Sequence, residues 1–118
     1  MTEYHEPKEE LSEETRNFTR ALDSLKEEIE AVNWYQQRVD ATKDESLKKI
    51  LAHNRDEEIE HACMTIEWLR RNMDAWDEVL RTYIFTEKPI TELEDEEEAE
   101  DSGESAASNT DLGIGKMN

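Results

Sequence analysis

The sequence predicts an all-α protein: an antiparallel two-helix hairpin followed by a short third helix, with two copies dimerising into a four-helix bundle. Three observations carry this reading. Two long stretches, residues 13–40 and 45–72, contain no glycine or proline and repeat apolar residues at spacings of three and four, the period of one helix face. A short polar break, Ala41-Thr42-Lys43-Asp44-Glu45-Ser46, separates them, and a break of that length joins antiparallel neighbours. Finally, 39% of the 118 residues are charged, and that leaves too little apolar material for a monomer to bury a core. An obligate oligomer is expected.

Taken in order, residues 1–11 form an arm without periodicity, in which His5 is incidental. Ser12 can cap the first helix, and Glu13 and Glu14 carry the charge its positive end prefers. With its end near Asp40, that helix is roughly 40 Å long. Two stripes run along it: Phe18, Leu22, Leu25, Ile29, Val32, and beside them Ala21, Leu25, Glu28, Val32, Tyr35, Val39. Glu28 interrupts the second stripe. On the flank, Glu27, Glu30 and Trp34 form an acidic patch beside a large aromatic.

Asp44 is placed to cap the second helix, which extends from about Glu45 to Asn72, and Asp74 to cap a third through Trp76, Val79, Leu80, Tyr83 and Ile84. Pro89 is expected to end regular structure. The run from Glu92 to Asp101 repels itself and reads as a disordered acidic linker. Leu112, Ile114 and Met117 then restore apolar character to a tail with nothing in its own chain to fold against, which marks a docking peptide. The expected division is an arm (1–11), a helical domain (12–86), an acidic linker (87–110) and a terminal peptide (111–118).

A formal net charge of −18 argues against nucleic acid and anionic membranes as partners and favours cations. The single cysteine, Cys63, cannot form an intrachain disulfide, the first residues lack the pattern of a signal peptide, and no apolar run is long enough to span a bilayer. A cytoplasmic location is expected.

Chemistry concentrates in the second helix, where Leu47, Leu51, Asn54, Glu58, His61 and Thr65 share a stripe whose centre is polar. Burying a carboxylate and an imidazole costs several kcal/mol unless each is paired, and one bound cation pairs both. Glu58 and His61 offer an oxygen and a nitrogen ligand suited to iron, manganese or zinc. Counted from the loop near Lys43, Glu28 lies about 15 residues before and Glu58 and His61 about 15 to 18 after, so the three stand at similar height. One Glu from one helix and Glu-x-x-His from another make half of a carboxylate-bridged di-iron set, and a two-fold axis completes it.

Other readings stand beside this one. At this spacing Glu58 and His61 also suit a solvated pair, a register device in a non-enzymatic helical adaptor, or a structural zinc site. Tyr35 fits a core aromatic as well as a neighbour of the metal, and Trp34 fits an interface. His53 falls off the seam, Cys63 points about 200 degrees from His61 on a helix, and Glu60 suits an outer shell or a secondary site.

These residues resemble the encapsulated ferritins, short ferritin-like proteins carried inside encapsulin nanocompartments. The resemblance rests on Glu27-Glu28-Ile29-Glu30-Ala31-Val32-Asn33-Trp34-Tyr35, on the stretch from His53 to Ala62, on Ile66-Glu67-Trp68-Leu69-Arg70-Arg71, and on Leu80-Arg81-Thr82-Tyr83. It implies a ferritin-like bundle in which Glu28, Glu58 and His61 ligate iron between two subunits. By the same resemblance Glu27, Glu30 and Trp34 line a metal uptake path with a secondary divalent cation at Glu27 and Glu30. It further implies ferroxidase activity, an annular decamer of five dimers and a role in iron storage and detoxification. Leu112-Gly113-Ile114-Gly115 is similar to the peptide that targets cargo to the encapsulin shell, where Ser-Leu usually follows; here Lys116-Met117 does.

Overall fold

A computed structural model describes residues 4–107, with side chains through residue 100. The elements are a 3₁₀ turn (Lys8–Glu10) and four helices: α1 (Glu13–Ala41), α2 (Glu45–Asn72), α3 (Asp74–Tyr83) and α4 (Ile90–Ala107). Among the described residues there is no strand, and no helix is long and apolar enough to cross a membrane. The fold is all-α, as the sequence predicts. The chain falls into two compact units, Met1–Trp68 and Leu69–Asn118.

In the first unit both expected caps form. The Thr15 N–H donates to Ser12 Oγ at 3.0 Å, satisfying one of the donors that a helix start leaves unpaired. The Arg16 guanidinium donates to the Lys8 carbonyl at 2.6 Å and ties the preceding turn to α1. At the start of α2 the Leu47 N–H and the Ser46 hydroxyl each donate to Asp44 Oδ1 at 2.9 Å. The Leu47 bond, followed by that from Ser46, holds the Asp44 carboxyl below the ordinary aspartate range.

Three contacts fix the hairpin's register. Arg55 donates to Gln36 Oε1 at 2.9 Å, Thr65 Oγ1 to Glu28 Oε1 at 3.2 Å, and the Trp68 ring meets Phe18 edge-on at 5.9 Å between centroids. Moving along α2, the partners step back toward the start of α1, as an antiparallel pair requires. The stripe of α1 turned inward is the one that Glu28 interrupts: Leu25 is 8% exposed, and Ala21, Glu28, Val32, Tyr35 and Val39 are half-buried. Leu22 and Ile29, from the other expected stripe, stay 43% and 54% exposed. On α2 the inner face centres on Ala62, with Leu51, Arg55, Glu58 and Thr65 half-buried, so it is turned slightly from the predicted seam and leaves Leu47 and His61 exposed.

The second unit begins at Leu69, which is fully buried. Two expectations are corrected here. Asp74 does not cap α3: it is the first helical residue, and extended Met73 takes the cap position with no side-chain bond. The physical cause is the one-residue break, since the Met73 N–H still bonds the Leu69 carbonyl at 3.0 Å while its own carbonyl already accepts from Trp76 and Asp77. Asp77 is instead the acid in use, accepting from Arg70 and, at 2.9 Å, from Arg81. Those two bonds, Arg81's foremost, hold its carboxyl below the ordinary range.

The second correction concerns the acidic segment, expected as a structureless linker after Pro89. Residues 90–107 form α4, and Pro89 starts that helix: its carbonyl accepts from Glu92 at 3.0 Å and Leu93 at 3.3 Å. Proline at a helix start gives up an N–H that would be unpaired anyway, and Glu92 suits the positive end. Each like-charge pair at i,i+4 costs only about 0.2–0.5 kcal/mol. Against that repulsion stand the favourable helix propensity of Glu and Ala and bonds from the preceding segment: Thr82 Oγ1 to Glu97 at 3.2 Å and Lys88 to Glu96 at 3.0 Å. Partial desolvation, followed by the Glu94, Glu97, Glu98 and Asp95 carboxylates, raises the Tyr83 phenol above its ordinary range. The terminal peptide 111–118 lies outside the described residues.

Candidate metal centre

Glu58 and His61 follow one another by three residues on α2, a spacing that stacks side chains on one helix face. Glu58 Oε1 lies 3.6 Å from His61 Nδ1, which leaves room for the two atoms to share a cation without large movement. The Glu58 side chain is 28% exposed and that of His61 47% exposed. The pair therefore sits at the edge of the hairpin, open to a second molecule or to solvent.

Glu28 reaches the same region from α1. One hydroxyl, Thr65 Oγ1, lies 3.2 Å from Glu28 Oε1 and 3.2 Å from the carbonyl of His61, one turn earlier on α2. Glu28 is thus held within about a helical turn of His61, close to the level that counting from the loop predicts. Among the described residues no group of three or more His, Cys, Asp or Glu side chains converges as a cation cage. What one hairpin presents is two half-buried carboxylates and an exposed imidazole along its edge.

Two neighbours of these side chains were not singled out from the sequence. Glu57 stands between two imidazoles, with Oε2 at 3.8 Å from His53 Nε2 and Oε1 at 3.9 Å from His61 Nε2. The signal was present as an i,i+4 ladder, His53-Glu57-His61, but attention to the seam hides a ladder running beside it. Thr65 was visible on the seam, yet nothing in one sequence reveals that its hydroxyl meets Glu28.

The remaining candidates divide by exposure. Glu27, Glu30 and Glu60 are exposed, as is Cys63. Trp34 is 49% exposed on the same flank as Glu27 and Glu30. Tyr35 is half-buried, with the Arg38 guanidinium carbon 5.2 Å from its ring centre, an arrangement that favours a packing role for that ring.

Comparison with known proteins places the chain in a family. A Ferritin-like protein of Thermotoga maritima is 64% identical over 115 residues, covering 98% of this chain and 97% of its own. An Encapsulated ferritin-like protein of Rhodospirillum rubrum is 58% identical over 120 residues, covering 96% and 86%. A crystal structure of a Nitrosomonas europaea protein superposes with a TM-score of 0.72 at 61% identity, covering 74% of this chain and 96% of the other. Residues 3–87 match the EncFtn-like family, and with relatives this similar over nearly the whole length the chain belongs to that family of encapsulated ferritin-like proteins.

Proposed function

We propose that the protein is a ferroxidase: it oxidises Fe(II) to Fe(III) at a di-iron site shared by two subunits, as cargo of an encapsulin compartment in the cytoplasm. The observation that carries this reading is the placement of Glu28, Glu58 and His61 along one open edge of the hairpin. Two carboxylates and a neutral imidazole suit ferrous iron, and carboxylates stabilise the ferric product more strongly. A two-fold axis at that edge would double the set to four carboxylates and two imidazoles, with Glu28 bridging, Glu58 terminal or chelating and His61 supplying nitrogen. Each substrate iron gives up one electron, and holding two irons together lets one molecule of dioxygen or peroxide, a two-electron acceptor, take both electrons.

Glu27, Glu30 and Trp34 are proposed as the uptake path, since they are exposed together on the flank of α1. Association is supported by the apolar surface that one chain leaves uncovered, including Leu22, Ile29, Leu47, Ile50 and Ile59. The decameric ring and the storage role are proposed on the resemblance to that family alone. The name of the Rhodospirillum rubrum relative supports packaging, for which Leu112–Met117 is the proposed address.

A second reading draws on the Thr65 to Glu28 hydrogen bond, which pairs the two helices without any metal and so suits an adaptor whose polar seam only fixes register. Ferrous oxidation assays on wild type and His61→Ala separate the two. The ferroxidase loses activity with the imidazole, whereas an adaptor consumes no iron in either form. A His61→Ala protein oxidising iron at the wild-type rate would remove His61 from the site.

A further inference from the structure

We propose that Thr65 is a positioning residue for the metal centre: its hydroxyl holds Glu28 in the orientation in which that carboxylate meets a divalent cation. The inference rests on the reading of Glu28 as a ligand and adds to it the group that aims the ligand.

The geometry is specific. Thr65 is half-buried, and Oγ1 donates to Glu28 Oε1 across the hairpin at 3.2 Å, 37 residues away in sequence. The same oxygen lies 3.2 Å from the His61 carbonyl, the i−4 acceptor that a helical threonine ordinarily uses. One hydroxyl carries one proton, so the two acceptors compete. The carboxylate is charged and forms the stronger bond, and the carbonyl keeps the hydroxyl at the right height when the carboxylate is absent. A helical threonine has two favoured χ1 wells, and the approach of Oγ1 to the His61 carbonyl selects the one seen here, so the donor is placed by α2 itself, one turn beyond His61.

Glu28 needs such a restraint. Its side chain has several rotors and projects from a half-buried position on α1, whereas the other two proposed ligands share one helix face. The Thr65 bond restricts those rotors and ties the α1 carboxylate to the α2 turn that carries His61. It does so without using up the ligand. A carboxylate oxygen has two lone pairs, so Oε1 bonded to Thr65 keeps one and Oε2 keeps both. Thr65 also forms part of a groove with Asn17, Arg20, Ala21, Ser24, Met64 and Trp68, and none of those six supplies a carboxylate or an imidazole to the site. Partners that orient a metal ligand in this way typically contribute about 10–100-fold in affinity.

The test uses the full chain and Co(II) added without oxidant, followed by its visible absorption, a readout independent of turnover. Thr65→Val removes the donor while keeping the branched shape; Thr65→Ser keeps the donor; His61→Ala reports on the ligand set itself. The expected result is Co(II) binding weakened about 10-fold or more in Thr65→Val, with metal-free assembly unchanged and the melting temperature lowered by no more than the loss of one hydrogen bond gives, and with Thr65→Ser close to wild type. Wild-type affinity in Thr65→Val, alongside lost binding in His61→Ala, overturns the positioning role and leaves the ligand reading standing. Equal losses in the valine and serine variants overturn it too, as does a valine variant that no longer assembles as wild type does in the absence of metal, because the hydroxyl would then act on the fold. Wild-type binding in His61→Ala removes the ligand reading, and the role of Thr65 with it.

Discussion

Glu28 and Glu58 differ from the exposed acids beside them, Glu27, Glu30, Glu57 and Glu60, in being half-buried, and His61 stands exposed on the open edge of the same hairpin. Removing Glu28 or Glu58 relieves crowding among carboxylates, and alanine is the best helix former, so Glu28→Ala, Glu58→Ala and His61→Ala should keep their helicity by circular dichroism. Each should slow ferrous oxidation by more than ~10-fold, given that loss of even an outer partner commonly costs that much. Glu30 is exposed on the flank, and Glu30→Ala should change the rate without abolishing it, because a residue on an uptake path alters delivery and not the redox step. A Glu30 variant as inactive as His61→Ala would move Glu30 into the centre itself. At this scale the candidate ligands were legible in the sequence, since a polar residue on an apolar seam advertises itself. Glu57 and Thr65 were not, because their significance lies in a neighbouring ladder and in a helix 37 residues away.

Among the elements, the helix termini carry the clearest pH dependence. Asp44 caps α2 and Asp77 joins Arg70 and Arg81, and both carboxyls sit below their ordinary range when folded. A depressed folded value means the stabilisation is complete above the unfolded value, near pH 4, and is lost as pH falls through the folded one. Acid also relieves the repulsion of a chain with net charge −18, which acts the other way. Comparing wild type with Asp44→Asn and Asp77→Asn isolates these two carboxylates: the urea midpoints should differ at pH 6 and converge as pH falls through the depressed folded range of each carboxyl. A difference that persisted unchanged into acid would show that charge plays no part in either interaction. Of the four helices, the first two follow from the absence of glycine and proline and from visible caps. For α4, reading charge repulsion alone leads to the wrong element, because it omits the Pro89 start and the bonds from Thr82 and Lys88.

For the whole molecule, association and chemistry should be linked. If two chains share the metal pair, iron binds only the assembled state and shifts the equilibrium toward it by mass action. Native mass measurements should therefore show larger species on adding Fe(II) without oxidant, and equal populations with and without iron would break that link. Packaging should separate from catalysis. Deleting residues 110–118 should preserve ferrous oxidation but eliminate co-purification with a co-expressed encapsulin shell, since Leu112, Ile114 and Met117 are the tail's only large apolar groups. Packaging of the truncated chain at full efficiency would place the address elsewhere.

Helical period, break length and the Glu-x-x-His spacing are local properties, so the sequence by itself determined the all-α class and the hairpin, while the family came from the likeness of whole stretches to known proteins. The sequence also placed Glu28 near the height of His61, because residues counted from a short loop translate directly into rise along each helix. Tertiary structure decided what such counting cannot reach. It chose the stripe containing Glu28 over the more apolar stripe containing Leu22 and Ile29, and it put the Thr65 hydroxyl against Glu28. The reason is that rotation of a helix about its axis is set by how two surfaces pack and by which polar groups find partners across them. Sequence spacing fixes which residues share a face, but only the neighbouring helix determines which face turns inward.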